Sequence, residues 1–152
     1  MKQFVLSEQG KPVAGLAPVD IGGVAKVSDY FSMENYSHAS IIVYCGAITN
    51  AATITVEESD DNAGSNATAI AFDYYQITAG VTGARTAATD AGFSTSTTNG
   101  SMFVIEIDAD QLSDGYPFLV VKATDAAANV ITIIPILSGA RYAQAAPPSA
   151  LS

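Results

Sequence analysis

The stretch Met102–Leu137 decides the fold, because it holds three strand-like segments in quick succession: MFVIEIDAD at 102–110, PFLVVKAT at 117–124 and VITIIPIL at 130–137. The first segment alternates, with Phe103, Ile105, Ile107 and Ala109 on one face and Val104, Glu106, Asp108 and Asp110 on the other. A period of two is typical of a half-buried β-strand. Turn residues around 113–115 and 125–129 separate the segments. Strands at this spacing predict an antiparallel sandwich or barrel.

Further strands are predicted upstream of that stretch. The segments 39–47 and 53–59 indicate a hairpin or two neighbouring strands. Residues 67–75 predict the next strand, with Ile70, Phe72 and Tyr74 on one face. From 78 to 100 the chain is rich in small residues and favours weak strands and loops. Helical periodicity is weak, and at most short helical turns are expected near 28–36 and 109–113. We therefore predict an all-β fold, an antiparallel jelly-roll-like sandwich.

The two ends of the chain differ in composition from its centre. Lys2–Leu6 predicts a short first strand, and residues 8–29 are rich in Gly and Pro, which favours extended, irregular backbone. Two interpretations of 8–29 stay open, an arm lying on a neighbouring molecule and a long loop packed on its own domain. The predicted organisation is an extended N-terminal strand and arm at 1–30, a β-sandwich at 31–142 and a C-terminal tail at 143–152.

Length and charge exclude several classes of function. The chain has 152 residues and a formal net charge of −9, so it suits one domain that repels phosphate backbones and anionic lipid. We therefore expect neither nucleic-acid nor membrane binding. A membrane-spanning helix is not expected either, since no apolar run reaches the ~18–20 residues that it needs. The apolar stretch at the N-terminus is too short for a secretory signal. The single cysteine, Cys45, excludes an internal disulfide and is predicted to be buried. These features fit folding in a reducing cytoplasm.

His38 is the only histidine, so any Ser-His-Asp or Cys-His arrangement must use it. His38 and Cys45 fall on opposite faces of one predicted strand, roughly 23 Å apart if it is extended. That separation argues against a nucleophile pair, and one His with one Cys cannot complete a tetrahedral metal site. His38 is therefore predicted to be a structural or surface residue.

The acidic residues form three clusters along the sequence, 57–62, Glu106/Asp108/Asp110 and Asp110/Asp114. The loop 57–62 lacks the spacing of an EF-hand, and alternate acids on one strand indicate a solvated face. Whether that loop binds calcium stays open. We predict no catalytic, cofactor-binding or metal site and no enzymatic activity. The aromatic residues are predicted to be core and rim, with an exposed contact patch as the alternative; they are Tyr30, Phe31, Tyr36, Tyr44, Tyr74, Tyr75, Phe93 and Tyr116.

The segment SMENYSHA at 32–39, followed by IIVYCGA at 41–47, resembles a group of small tailed-bacteriophage virion proteins. The similarity continues through ITVEES at 54–59, AIAFDYY at 69–75, FVIEIDADQL at 103–112 and LSGARYAQ at 137–144, and closes with PPSALS at 147–152. It covers most of residues 30–152. Its motifs are packing signatures, not catalytic fingerprints.

The resemblance implies a capsid decoration (cement) protein or another head protein. The expected partner is the major capsid protein, and the expected state is a homo-oligomer, with a trimer favoured. The expected place is the capsid exterior, after synthesis in the host cytoplasm. Two alternatives stay open, a head–tail or tail component and a carbohydrate- or cell-surface-binding module.

Overall fold

The computed structural model describes residues 4–124 and 127–141. They form two antiparallel sheets packed face to face, so the prediction of an all-β sandwich is confirmed. The larger sheet contains eight strands: β1 (Gly10–Pro12), β2 (Leu16–Asp20), β5 (Tyr36–Ile48), β8 (Phe72–Thr78), β9 (Val81–Thr82), β10 (Thr86–Ala88), β12 (Met102–Asp108) and β14 (Asn129–Ala140). The smaller sheet contains six: β3 (Lys26–Val27), β4 (Phe31–Ser32), β6 (Thr53–Ser59), β7 (Thr68–Ile70), β11 (Phe93–Ser94) and β13 (Phe118–Thr124).

The order of strands in each sheet differs from their order in the chain. The large sheet runs β1–β14–β5–β12–β8–β10, with β2 also beside β14 and β9 beside β8. The small sheet runs β11–β6–β13–β3, with β4 also beside β13 and β7 beside β6. A single helical turn, α1 (Leu6–Gln9), precedes β1, and a 3₁₀ turn at Ala109–Gln111 follows β12 as the sequence predicted. The helical turn expected near 28–36 is wrong, because that segment contains β4 and the start of β5. No helix within the described ranges is long and apolar enough to cross a bilayer.

Strands that are consecutive in the sequence repeatedly lie in opposite sheets. The segments predicted as a hairpin or neighbouring strands are β5 and β6, and β5 pairs with β12 and β14 while β6 pairs with β13. That prediction is wrong, because the connection at 49–52 crosses from one sheet to the other. The single strand predicted at 67–75 is also wrong, since β7 pairs with β6 and β8 pairs with β12. The weak strands predicted between 78 and 100 are present as β9, β10 and β11.

The core lies between the sheets and is built from the inward-facing residues of the alternating strands. Ile41, Val43, Ile105 and Leu119 are fully buried, and burying such a side chain contributes about 1.5–3 kcal/mol. A cluster of three aromatic side chains connects the two sheets. Phe93 of the small sheet stacks on Tyr74 at a centroid distance of 4.2 Å and meets Phe103 at 4.9 Å, both from the large sheet.

The N-terminal segment belongs to the sandwich of its own chain. β1 and β2 pair with the outer edge of β14, β3 pairs with β13, and Val13 and Ile21 are buried in the core. The edge of β14 carries backbone groups that need partners, which explains why this Gly- and Pro-rich segment packs there. Of the two interpretations of 8–29, the structure has packing on the same domain, so the sandwich begins before the predicted boundary at residue 31. The prediction of an arm at 1–30 is therefore wrong for residues 10–27, which belong to the sandwich of their own chain.

The predictions for the two extreme ends of the chain can be compared with the structure only in part. Phe4 and Val5 are not in a strand and Leu6 begins α1, so the strand predicted at Lys2–Leu6 is wrong for its described part. Residues 2 and 3 and the tail predicted at 143–152 lie outside the described residues.

Candidate functional site

The outer face of the large sheet is the surface on which polar groups and exposed apolar groups are most clearly organised. Four adjacent strands, β14, β5, β12 and β8, present their outward residues in register there. The side chains form four rows across the strands. Two rows are apolar apart from one threonine, and they are Ile134–Ile42–Val104–Tyr75 and Thr132–Tyr44–Met102–Ile77. Two rows carry the polar groups, and they are Ile136–Ser40–Glu106–Asp73 and Ser138–His38–Asp108.

The apolar rows are accessible on the surface. Tyr44 is 41% exposed and Ile134 is 42% exposed, and the other members of the two rows are half-buried. Near the β1 border of the face, a Cβ on Gly10 would meet Leu6 Cδ1 at 3.1 Å and Ile136 Cγ2 at 3.2 Å. A side chain at position 10 would therefore require these neighbours to shift slightly.

His38 is the centre of the polar rows. Its Nδ1 lies 2.7 Å from Asp108 Oδ1, and its Nε2 lies 2.7 Å from Glu106 Oε2. Ser40 donates its hydroxyl to the same Glu106 oxygen at 2.6 Å. The residues are brought together by pairing of β5 with β12, which sets His38 opposite Asp108 and Ser40 opposite Glu106. We call these four residues the His38 cluster.

The two carboxylates favour the charged imidazolium form of His38. Burial by itself lowers the pKa of His38, but hydrogen bonds to Asp108 and Glu106, together with their negative charges, outweigh burial and raise the pKa above its ordinary value. An imidazolium donates from both ring nitrogens, which matches a carboxylate at each one. The cluster thus ties β5 to β12 through charge-assisted hydrogen bonds.

This geometry does not activate Ser40 as a nucleophile. In a Ser-His-Asp triad the histidine must accept the serine proton at a free nitrogen. Here the Ser40 hydroxyl lies 3.3 Å from His38 Nε2 and instead donates to Glu106, while His38 Nε2 is itself held by that carboxylate. His38 is on the surface, as the sequence predicted, and its pairing is structural.

A second ion pair completes the charges of this face. Arg85 donates from Nη2 to Asp73 Oδ2 at 2.6 Å and from Nε to the same oxygen at 2.9 Å. Asp73 lies beside Glu106 in the register of β8 with β12. The three carboxylates of the polar rows therefore pair with two basic side chains: Glu106 and Asp108 with His38, and Asp73 with Arg85.

The remaining sequence candidates are dispersed and engaged elsewhere. Cys45 is fully buried on the opposite face of β5 from His38, and burial raises the pKa of its thiol to about 11 against a smaller opposing hydrogen bond to Ser101. The thiol is therefore protonated and unreactive at neutral pH. Asp110 and Asp114 lie beyond the end of β12, so Asp110 does not share the strand face of Glu106 and Asp108 as predicted.

The acidic segment 57–62 comprises the end of β6 and the start of the following loop, and its side chains make contacts within the chain. Glu57 pairs with Lys122, and the buried Glu58 accepts hydrogen bonds from the Ser113 backbone N–H at 2.8 Å and hydroxyl at 2.5 Å. Asp61 Oδ1 accepts backbone N–H groups of Ala63 and Ser65 at 3.0 and 3.1 Å. Within residues 4–124 and 127–141, no three His, Cys, Asp or Glu side chains are grouped so as to hold a metal ion.

The aromatic residues divide between core and surface. Phe31, Tyr36 and Phe93 are buried, whereas Tyr44 is exposed in an apolar row. Sequence reasoning placed Glu106 and Asp108 on an outer face but missed that His38 lies between them. The signal that could have shown this contact is that all three side chains occupy outward-facing strand positions and that a charged histidine is opposite in sign to the two carboxylates. An outward-facing position does not say, however, which strands pair or in which register.

Comparison with known proteins adds one structural likeness. No protein-family model matches the chain, and no curated protein matches it. The fold is similar to that in the crystal structure of the SPBc2 prophage-derived protein YomS, with a TM-score of 0.49 and 10% sequence identity over 90% of this chain and 98% of that chain. At this level the likeness carries no argument about activity or partner.

Proposed function

We propose that the protein is a non-enzymatic structural component of a phage particle that decorates and stabilises the outer capsid surface. Its partner in this proposal is the major capsid protein. The assignment to a virion rests on the sequence resemblance across residues 30–152, and the structural part rests on the organised outer face of the large sheet.

The observation that carries the structural part is the pair of apolar rows on a rigid sheet. A soluble monomer seldom presents a contiguous apolar patch without a use for it, and such patches mark contact surfaces. Here four strands hold the patch in register, and β5 and β14 are the longest strands described, at 13 and 12 residues. A surface fixed by a backbone ladder loses little conformational freedom when it is covered, which suits permanent assembly.

The charge of the chain supports an outward position. A net charge of −9 is unfavourable next to packaged nucleic acid and favours a solvated exterior. The polar side chains nearest the apolar rows are paired with one another, which keeps the patch free of unpaired carboxylates.

Binding to capsids is the direct test. Purified protein is added to capsids that lack it, and occupancy and the temperature of shell disruption are measured. We expect saturable binding and a more stable shell. A truncation after residue 142 measures the part played by the tail, and unchanged occupancy and stability would remove residues 143–152 from the mechanism. Absence of binding, with labelled protein found by electron microscopy at the tail or neck, would favour the head–tail or tail alternative.

A further inference from the structure

We propose that the chain contains two sites of succinimide formation, Asn99–Gly100 and Asp114–Gly115, and that the fold blocks the first while leaving the second open. They are the single Asn-Gly and the single Asp-Gly dipeptide of the sequence. Succinimides form spontaneously, so this covalent modification requires neither an enzyme nor the proposed capsid contact. The hydrogen bonds of the two glycine nitrogens decide which site can react.

The chemistry is the same at both dipeptides. The backbone nitrogen of the glycine attacks the side-chain carbonyl carbon of the preceding residue, and a C–N bond closes a five-membered ring. The glycine N–H proton passes through water to the leaving group, which departs as ammonia from asparagine or as water from a protonated aspartate. Water then opens the ring at either carbonyl and gives aspartate or isoaspartate. Glycine favours the attack because it has no side chain to obstruct it, and asparagine reacts faster than aspartate at neutral pH because an ionised carboxylate resists a nucleophile.

The fold holds both reacting groups of the first site against the end of β5. The Gly100 N–H donates to the Cys45 carbonyl at 2.8 Å. Asn99 Oδ1 accepts the Ile48 N–H, also at 2.8 Å. The Cys45 N–H donates to the Ser101 carbonyl at 2.9 Å, so the backbone that follows Gly100 is fixed as well.

Ring closure at the first site requires these contacts to break. A succinimide nitrogen carries no hydrogen, so the hydrogen bond from Gly100 to Cys45 is lost when the ring forms. Cys45 is fully buried, and its carbonyl would lose this donor without access to water. Asn99 and Gly100 are both exposed, but exposure is not sufficient for reaction, because cyclisation must await local opening of the turn from β5.

The second site lies in the exposed turn that precedes β13. The Tyr116 N–H donates to the Ser113 carbonyl at 3.0 Å and closes the turn around Asp114 and Gly115. Gly115 has a φ of +83°, and nothing lies within 4 Å of the position that a Cβ would take there. Within residues 4–124 and 127–141, neither the Gly115 N–H nor the Asp114 carboxylate has a hydrogen-bond partner. The chemically slower dipeptide is therefore the one that is free to react in the folded protein.

An Asp114→Asn variant of the full chain tests the inference, because it places the same Asn-Gly dipeptide at both positions of one folded molecule. The variant is incubated at pH 8 and digested, and the deamidated peptides are measured by mass spectrometry. Position 114 should deamidate at least ~30-fold faster than position 99, since two hydrogen bonds must open at position 99. In guanidinium chloride the two positions should react at similar rates.

The unaltered chain provides a second measurement that does not depend on how the variant folds. Asn99 should deamidate at least ~30-fold more slowly in the folded chain than in guanidinium chloride. Isoaspartate at Asp114, measured with a methyltransferase at pH 6, should form at similar rates in both conditions. Asn99→Gln is the control, because the six-membered ring closes slowly, and it should remove the signal that appears at position 99 on unfolding. Equal deamidation of positions 99 and 114 in the folded variant, equal rates at Asn99 with and without denaturant, or equally strong protection of Asp114 would overturn the inference.

Discussion

Replacing His38 with glutamine should destabilise the protein in a pH-dependent way. His38 holds Glu106 and Asp108 at 2.7 Å each, with Ser40 bound to the same Glu106 oxygen and Ser138 opposite on β14. The two carboxylates raise the pKa of His38 despite its partial burial. A raised pKa means that protonated His38 stabilises the folded state. That contribution is complete below the ordinary value near 6.5 and is lost as the pH rises through the raised value.

The exposure of each partner sets the magnitude. The Asp108 side chain is 60% exposed, so its bond contributes only about 0.2–1 kcal/mol. The Glu106 side chain is 25% exposed, and its bond lies nearer the ~1.5 kcal/mol of a charge-assisted hydrogen bond. Since glutamine keeps one neutral hydrogen bond, we expect His38→Gln to lower the free energy of unfolding by about 1–2 kcal/mol at pH 6. At pH 9 the loss should fall below about 0.5 kcal/mol.

Urea and thermal unfolding at pH 6 and pH 9, at one protein concentration, measure this difference. A loss of 1–2 kcal/mol corresponds to about 2–8 °C in Tm for a chain of this length. Arg85→Gln is the control, because it removes an ion pair on the same face whose cation stays charged over this range. Because Arg85 is exposed to solvent, its loss should change the stability little, and equally at both pH values. An effect of His38→Gln that is equal at the two pH values, or larger at pH 9, would refute the reasoning.

Three further predictions concern the interior. Phe103→Ala should lower the free energy of unfolding by about 3–5 kcal/mol in urea, because it opens a cavity beside Tyr74 and Phe93. A loss under about 1 kcal/mol would contradict the aromatic contact between the sheets. Glu58→Gln should cost about 1–3 kcal/mol by thermal unfolding, because it sets an amide donor against the Ser113 donors, whereas Glu57→Gln should cost less. At pH 8 Cys45 should react with a thiol reagent only on unfolding; rapid labelling of native protein would show the thiol to be accessible.

Local pattern was sufficient to predict the central strands of the chain and the faces of their residues. The alternation of 102–108 placed Phe103, Ile105 and Ile107 inside and Glu106 and Asp108 outside, and the structure has them so. The burial of Cys45 was predicted from its apolar setting at 41–47, and in the structure Cys45 lies on the same inward face of β5 as Ile41 and Val43. Each of these predictions depends only on a period of two, which a short segment carries by itself.

Pairing between distant strands could not be predicted in this way. The sequence gives no sign that the chain changes sheets at Ala71, because Ile70, Phe72 and Tyr74 keep one parity through the crossing. It also gave no sign that the N-terminal segment would cover the edge of β14, since a Gly- and Pro-rich stretch is extended whether it lies on its own chain or on another.

Sequence alone therefore determined the all-β class, the outward position of His38, Glu106 and Asp108, and the acidic charge. Only the tertiary structure decided that β5 lies between β14 and β12 in a register that joins His38 to Glu106 and Asp108 and aligns the apolar rows. The physical reason is that parity is a property of one strand, whereas register is a property of two. Residues 38 and 108 are 70 positions apart, and their contact exists only once the whole sandwich has closed.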